Sequence, residues 1–182
     1  MNTRTSVSHP LEIAEVSPGE SFGRIGITFC PGKHDHHAMT GPWKRDLGLD
    51  LAAIRAWGAA AVVTLVRNGE LVRLEVPNLG EEVRRHGMLW FHLPIVDMHI
   101  PDRAFEVAWT RAGEELRSLL RGGLDIVVHC KGGLGRAGTI AARLLVELGM
   151  EPETAIRAVR KARPEAIETL EQKQYVLALR RV

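Results

Sequence analysis

The sequence predicts an α/β fold with a mainly parallel central sheet flanked by helices. Short apolar runs rich in β-branched residues alternate along the chain with longer segments of helical periodicity, the pattern of strands joined by crossover helices. One run, Ala60 to Val66, is continuously apolar, as expected of a strand buried on both faces of a parallel sheet. A glycine-rich segment directly follows another run, Leu124 to Val128, and a helical pattern begins after it.

Turn signals divide the first half of the chain. Residues 1–20 are polar and carry two prolines, so we predict a flexible N-terminal arm there and a single domain over 21–182. Apolar residues that run up to a Pro-Gly pair predict a strand, and apolar residues at helical spacing, stopped by Gly58, predict a helix. In order, the predicted segments are a strand at 21–30, a loop at 33–45, a helix at 46–57, a strand at 60–66 and one or two short helices between 69 and 87, broken at Pro77.

The second half of the chain repeats this alternation. The apolar run at 88–93 predicts a strand, and the long amphipathic segment at 102–120 predicts a helix capped by Asp102. A further strand is predicted at 124–128, directly before the glycine-rich segment. The remaining helices are predicted at 136–148, 152–162 and 168–180.

Composition and charge narrow the class of protein. The chain has 182 residues, 45% of them apolar and 25% charged, which are ordinary values for a domain that buries its own core. A net charge of +2 is too small to predict a nucleic-acid-binding surface, and no segment approaches the ~20 apolar residues of a membrane span. Only two cysteines are present and the N terminus lacks the apolar core of a signal peptide, so we expect a cytoplasmic protein. Nothing in the sequence specifies an oligomeric partner.

The candidate site is the segment from His129 to Arg136, between a predicted buried strand and a predicted helix. In open α/β sheets, ligands bind in this crevice. Three glycines let successive backbone N–H groups turn inward, so the loop can hold a phosphate-sized anion at the helix N terminus. The same surroundings favour a thiolate nucleophile at Cys130, and the guanidinium of Arg136 can bind two phosphate oxygens. The residues expected to bind substrate are Lys131, Gly132, Gly133, Leu134, Gly135 and Arg136.

Other interpretations of this segment fit less well. A structural turn around a buried cysteine would require the cysteine, glycines and arginine to coincide by chance. A Walker phosphate loop is excluded because no Gly-Lys-Ser/Thr ends the segment, and a zinc site is not expected because no Cys-x-x-Cys pair is present. We interpret the histidine-rich stretch 33–37 as a polar loop and Cys30 as a buried structural thiol. Neither a metal nor a cofactor is expected.

Cys-x5-Arg after a strand resembles the protein tyrosine phosphatase superfamily, in its dual-specificity branch. Further segments resemble the kinase-associated phosphatases, which act on cyclin-dependent kinases. These segments are GITFCPG at 26–32, VPNLGE at 76–81, HLPIVDMHIPD at 92–102, HCKGGLGRAG at 129–138 and AIETLEQKQYV at 166–176. The resemblance covers about residues 22–178 and implies the dual-specificity phosphatase fold, a phosphocysteine intermediate and no metal.

The resemblance also implies roles for single residues. Asp97 matches the family's general acid, which protonates the leaving oxygen, whereas Asp102 fits better as a helix cap. His129 is expected to orient the loop through a hydrogen bond and to help keep Cys130 ionised. Lys131 is expected at the pocket rim, where it would attract anionic substrates.

The chain departs from the family at Ala137, where a serine or threonine usually assists breakdown of the phosphocysteine. Thr139 is near in sequence but faces another direction on a helix. We therefore predict a cysteine-dependent phosphatase that acts on phosphotyrosine, and also on phosphoserine or phosphothreonine, in proteins, with a slow second chemical step. The alternatives are a phosphatase for inositol phosphates or another small phosphoester, a weakly active phosphate-binding module, and a rhodanese-like sulfurtransferase. Asp97 on its own loop favours a phosphatase over the last two.

Overall fold

A computed structural model describes residues 3–38 and 41–182, and within these residues a five-stranded sheet forms the centre of the molecule. The two positions at 39–40 in the predicted loop, and the first two of the predicted arm, lie outside the described residues. The strands in chain order are β1 (Ala14–Val16), β2 (Ile25–Thr28), β3 (His34–Asp35), β4 (Trp43–Lys44), β5 (Ala59–Thr64), β6 (Leu89–His92) and β7 (Asp125–His129).

The sheet has the strand order β1-β2-β7-β5-β6, and β3 and β4 form a separate antiparallel pair. Only the edge strand β1 runs antiparallel to its neighbour, while β2, β7, β5 and β6 are parallel. The carboxyl ends of the four parallel strands therefore meet at one edge of the sheet, with β7 in the middle. In such sheets this edge is where ligands bind.

Helices cover both faces of the sheet. They are α1 (Leu47–Trp57), α2 (Asn68–Arg73), α3 (Leu79–Arg85), α4 (Arg103–Arg121), α5 (Gly135–Glu147), α6 (Pro152–Ala162) and α7 (Leu170–Ala178). Alternation along β7 shows the two layers, because Val127 packs in the core beneath α1–α3 while Ile126 and Val128 pack in the core beneath α4–α7. All three are fully buried, as in a parallel sheet covered on both sides.

The predicted fold class is confirmed, and every predicted strand and helix has a counterpart. Gly58 ends α1 with a left-handed φ of 113°, and the Asp102 carboxylate accepts the Phe105 N–H at 2.8 Å as the cap of α4.

Two short features differ from the prediction. Ala14–Val16, inside the segment predicted to be an arm, pairs with Ile25–Ile27 as the sheet edge. The segment predicted as a loop at 33–45 contains the β3–β4 pair. Strands of two or three residues are too short to show a period of two, so their pairing with distant residues was not visible in the sequence. In the described part of the chain, no helix is long and apolar enough to cross a membrane.

Candidate active site

Cys130 follows the central strand β7 directly and is 3% exposed. The loop after it turns back toward the sheet, and the Gly133 N–H donates to Cys130 Sγ at 3.3 Å. Gly133 has a φ of 70°, and a Cβ there would lie only 2.5 Å from the carbonyl carbon of Thr28 at the end of β2. Glycine is therefore required where the loop packs against the neighbouring strand.

Arg136 is almost fully buried and is held by a carboxylate that the sequence analysis did not identify. Its two terminal nitrogens donate to the two oxygens of Glu70, each at 2.9 Å, and one of them also donates to the Ile95 carbonyl. Burial alone would lower the pKa of Arg136, but the hydrogen bonds to Glu70 and the charge of Cys130 outweigh it and raise that pKa. Arg136 is therefore a permanent cation beside the cysteine.

One donor of Arg136 is left over. Its Nε is buried and has no hydrogen-bond partner among the described residues. A buried N–H without a partner costs about 1–3 kcal/mol, so an unused donor in a rigidly held guanidinium suits a ligand that supplies the missing acceptor. A phosphate oxygen is such an acceptor.

Glu70 lies on α2, which follows the carboxyl end of β5. Burial would raise its pKa, but hydrogen bonds from Arg136 and from the Arg67 backbone N–H hold that pKa below its ordinary value. The position of Glu70 in the sequence could have identified it as a site residue. A carboxylate that follows a strand next to β7 must lie at the same edge of the sheet as Cys130.

Asp97 lies on the loop after β6, and its Oδ1 is 2.9 Å from Nη2 of Arg136. The loop is tightly shaped, since Met98 adopts a left-handed φ of 63° and His99 is hydrogen-bonded to the Asp97 carbonyl. The structure thus brings Asp97 to the predicted site, with its side chain 59% exposed and accessible to a substrate.

His129 is fully buried and uncharged. Burial lowers its pKa to about 3. Trp90 Nε1 donates to Thr64 Oγ1, so the Thr64 hydroxyl can donate to His129 Nε2, which leaves Nδ1 as the nitrogen that faces the Cys130 carbonyl at 3.4 Å. The geometry is consistent with His129 orienting the loop. The expectation that His129 helps to keep Cys130 ionised stays a prediction, and a neutral ring would do so through hydrogen bonding rather than through a positive charge.

Two lysines flank the loop. Lys131 is half-exposed at the pocket rim, as expected, but its ammonium is paired with Asp35 at 3.1 Å. Lys33, not singled out as a single residue from the sequence, is buried against the rings of Phe29 and Trp43 and donates to the Lys131 carbonyl at 3.3 Å. Burial lowers the pKa of Lys33 to about 8. This second cation braces the backbone of the loop from beneath.

The segment between α6 and α7 contacts the loop from the other side, which the sequence analysis also missed. Arg163 donates to the carbonyls of Gly133 and Gly132 at 3.2 and 3.3 Å. Glu168 Oε2 accepts the Gly135 N–H at 2.7 Å. Because Gly135 belongs to the predicted anion cradle, this carboxylate occupies a donor that a bound phosphate would use.

The position after Arg136 has no hydroxyl. Ala137 is fully buried, and the Thr139 hydroxyl donates to the Gly135 carbonyl at 2.7 Å. Since a threonine hydroxyl has one proton, Thr139 has none left for Cys130 in this arrangement.

The second cysteine and the histidine-rich stretch are built into the fold. Cys30 is fully buried, and burial raises the pKa of its thiol, in line with the structural interpretation. The two ring nitrogens of His34 contact Glu75 and the Arg45 carbonyl. Within residues 3–38 and 41–182, no group of three or more His, Cys, Asp or Glu side chains is arranged to hold a metal ion.

Cys130 opens into a cavity of about 630 Å³ that Lys131, Gly132, Leu134, Asp97 and Glu168 also line. The fold and this loop together define a class, the protein tyrosine phosphatase-like fold with a Cys-x5-Arg loop at the end of its central strand. Within that class, residues 25–156 match the model of the family described as "Cyclin-dependent kinase inhibitor 3 (CDKN3)". The chain belongs to this family.

Individual relatives agree with this assignment. The human cyclin-dependent kinase inhibitor 3 is 33% identical over 169 residues, which cover 91% of this chain and 74% of the relative. The rat protein of the same name is 33% identical over 138 residues, and the match spans only 63% of its length. A crystal structure of kinase-associated phosphatase, with its catalytic-site cysteine replaced by serine, has a TM-score of 0.79 at 29% identity and covers 92% of each chain.

Proposed function

We propose that this chain is a cysteine-dependent protein phosphatase that hydrolyses phosphotyrosine, and also phosphoserine or phosphothreonine, through a phosphocysteine intermediate. The observation that carries the proposal is the buried Arg136, clamped by Glu70 beside Cys130 and left with one unused donor. The unused donor points to a ligand because it lies beside Cys130; Nε of the buried Arg117 on α4 also lacks a partner among the described residues, and no nucleophile is next to it. The family relationship and the loop geometry support the same activity.

In the first step the phosphate would bind to the loop N–H groups and to Arg136, and the Cys130 thiolate would attack phosphorus. The bond from phosphorus to the leaving oxygen breaks, and Asp97 gives that oxygen its proton. Asp97 pairs with Arg136 in the absence of substrate. A bound phosphate takes over the charge of Arg136, which frees the Asp97 carboxyl to hold a proton.

In the second step water would attack the phosphocysteine, and the phosphorus–sulfur bond breaks. The Asp97 carboxylate accepts the proton of the water, and the products are inorganic phosphate and the Cys130 thiolate. No hydroxyl from position 137 assists the leaving thiolate, so this step is the slower one.

We place the reaction in the cytoplasm, where two free thiols such as Cys30 and Cys130 stay reduced.

The purified protein should hydrolyse an aryl phosphate in the presence of EDTA, since a thiolate nucleophile needs no metal. Parallel assays with phosphopeptides, inositol phosphates and nucleotides would rank the substrates. Cys130→Ser should remove the activity, and Cys30→Ser serves as the matched cysteine control. Activity that disappears with chelator, or survives in Cys130→Ser, contradicts the proposal.

A further inference from the structure

A second cavity, of about 500 Å³, adjoins the catalytic one. Four residues line both cavities: Asp35, His37, Asp97 and Lys131. A substrate whose phosphate lies at Cys130 can therefore extend past Asp97 into this second space. What the second cavity binds should follow from the charges in its wall.

Each carboxylate in the wall of the second cavity already has a partner. The pairs are Asp35 with Lys131, Glu75 with His34, and both Glu70 and Asp97 with Arg136. Lys131 and Arg136 balance two of these four negative charges, and His34 balances a third only when it is protonated.

Two arginines in the same wall form no such hydrogen-bonded pair, although the charge of Arg73 helps to lower the pKa of Glu70. Arg67 and Arg73 lie at the two ends of α2, both are exposed, and neither guanidinium forms an ion pair or hydrogen bond with any residue the structure describes. Nη1 of Arg73 lies 3.8 Å from the position that a Cβ on Gly69 would take, so this side chain folds back along α2 toward Arg67. Two guanidinium groups with unused hydrogen-bond donors on one side of a cavity can bind an anion.

We propose that Arg67 and Arg73 form a subsite for a second anionic group on the phosphorylated substrate. The preferred substrates are phosphopeptides that carry an acidic or a second phosphorylated residue beside the phosphate to be removed. This inference rests on the proposed phosphatase activity and narrows its substrate class. Because both guanidinium groups reach solvent, the preference should weaken as salt concentration rises.

The test uses phosphotyrosine peptides that are identical except for flanking Glu, phosphoserine, Gln or Lys, with kcat/KM measured for each. The wild type should favour the Glu and phosphoserine peptides over the Gln peptide by about fivefold. In the double variant Arg67→Gln/Arg73→Gln the ratio should fall to about one. The ratio is taken within each variant, so a general loss of activity cancels.

Two further variants complete the test. Arg157→Gln, an exposed arginine on α6 that lines neither cavity, should keep the wild-type ratio. Arg73→Glu should reverse the preference toward the Lys peptide. An equal response of the wild type to the Glu, phosphoserine and Gln peptides would overturn the inference, as would an unchanged ratio in the double variant. A gain with phosphoserine alone would assign the subsite to phosphate rather than to carboxylate.

Binding of the same peptides to Cys130→Ser separates this inference from the proposed activity. An acidic preference in binding, without turnover by the wild type, contradicts the proposed phosphatase and supports the subsite. Turnover without any acidic preference contradicts only the subsite.

Discussion

Arg136 and Arg143 lie two turns apart on α5, and both are buried and gripped by glutamate. Arg143 donates to Glu106 at 2.7 and 2.9 Å, to Glu147 at 2.7 Å and to the Tyr175 hydroxyl. Its Nε and both terminal nitrogens therefore all have acceptors inside the fold. Arg136 has acceptors for its terminal nitrogens, but its Nε has none in the described part of the chain.

This difference, together with the position of Arg136 next to Cys130, indicates a structural role for Arg143 and a ligand-binding role for Arg136. The fully matched guanidinium of Arg143 ties α4, α5 and α7 together, and shortening it to lysine removes several of these hydrogen bonds. A guanidinium that is rigidly held but incompletely matched is ready to bind an anion without further rearrangement. Burial and ion pairing alone do not distinguish the two residues. The unused donor does so only in combination with the neighbouring Cys130, because Nε of the buried Arg117 on α4 also lacks a partner in the described part of the chain.

The contrast between Arg136 and Arg143 is tested most directly by making the same substitution at both positions. Arg136→Lys should lower kcat/KM for an aryl phosphate by about 10⁴-fold, because lysine supplies neither the fork to Glu70 nor the spare donor. Arg143→Lys should instead lower the free energy of unfolding by about 1–3 kcal/mol, because lysine keeps the charge but loses part of the hydrogen-bond network. Steady-state kinetics and urea unfolding of both variants measure the contrast. If the Arg143 variant lost more activity per folded molecule than the Arg136 variant, the distinction would be wrong.

Substitutions at Asp97 and Asp102 test whether Asp97, the partner of Arg136, is the general acid. Asp97→Asn should lower kcat by about 10²–10⁴-fold and flatten the alkaline limb of the pH–rate profile, which reports the group that must stay protonated. Asp102→Ala removes the cap of α4 and should cost about 1 kcal/mol of stability with little change in kcat. A larger loss of kcat in the Asp102 variant would reassign the acid.

The absence of a hydroxyl at Ala137, beside Arg136, should have a measurable effect on the kinetics. One hydrogen bond to the leaving thiolate is worth about 1.5–3 kcal/mol, so its absence slows the second step about ten- to a hundredfold. We expect a burst of phenol close to the enzyme concentration, followed by slow turnover. Ala137→Ser should speed the steady state and shrink the burst in stopped-flow traces. No burst, together with an unchanged kcat in Ala137→Ser, would refute this explanation.

The smallest expected effect concerns Glu168, the carboxylate on the Gly135 N–H. A neutral amide is a weaker acceptor and carries no charge, so Glu168→Gln should bind inorganic phosphate about threefold more tightly. Competitive inhibition by phosphate measures the change. Glu165→Gln, a second glutamate in the same cavity wall, is the control and should leave the inhibition constant unaltered. Equal shifts in both variants would show a general charge effect rather than competition for one donor.

The sequence predicted the alternation of strands and helices, because buried parallel strands and amphipathic helices have clear periods. It also predicted the loop residues, since Cys130 and Arg136 lie in one continuous segment. Glu70 and Glu168 were missed because each meets the loop from a distant segment, and a pair such as Arg136–Glu70 leaves no periodic signal. The neutral state of His129 depends on its burial, which residue type alone does not specify.

The most direct test of the account is to identify the intermediate itself. The wild-type protein, mixed with an aryl phosphate and quenched in acid during the burst, should carry one phosphate per chain, and peptide mapping by mass spectrometry should place it on Cys130. Cys130→Ser should turn over no substrate, and Cys30→Ser should still be phosphorylated at Cys130. Phosphate found on another residue, or turnover that persists in Cys130→Ser, would contradict the central claim that this loop performs cysteine-dependent phosphoryl transfer.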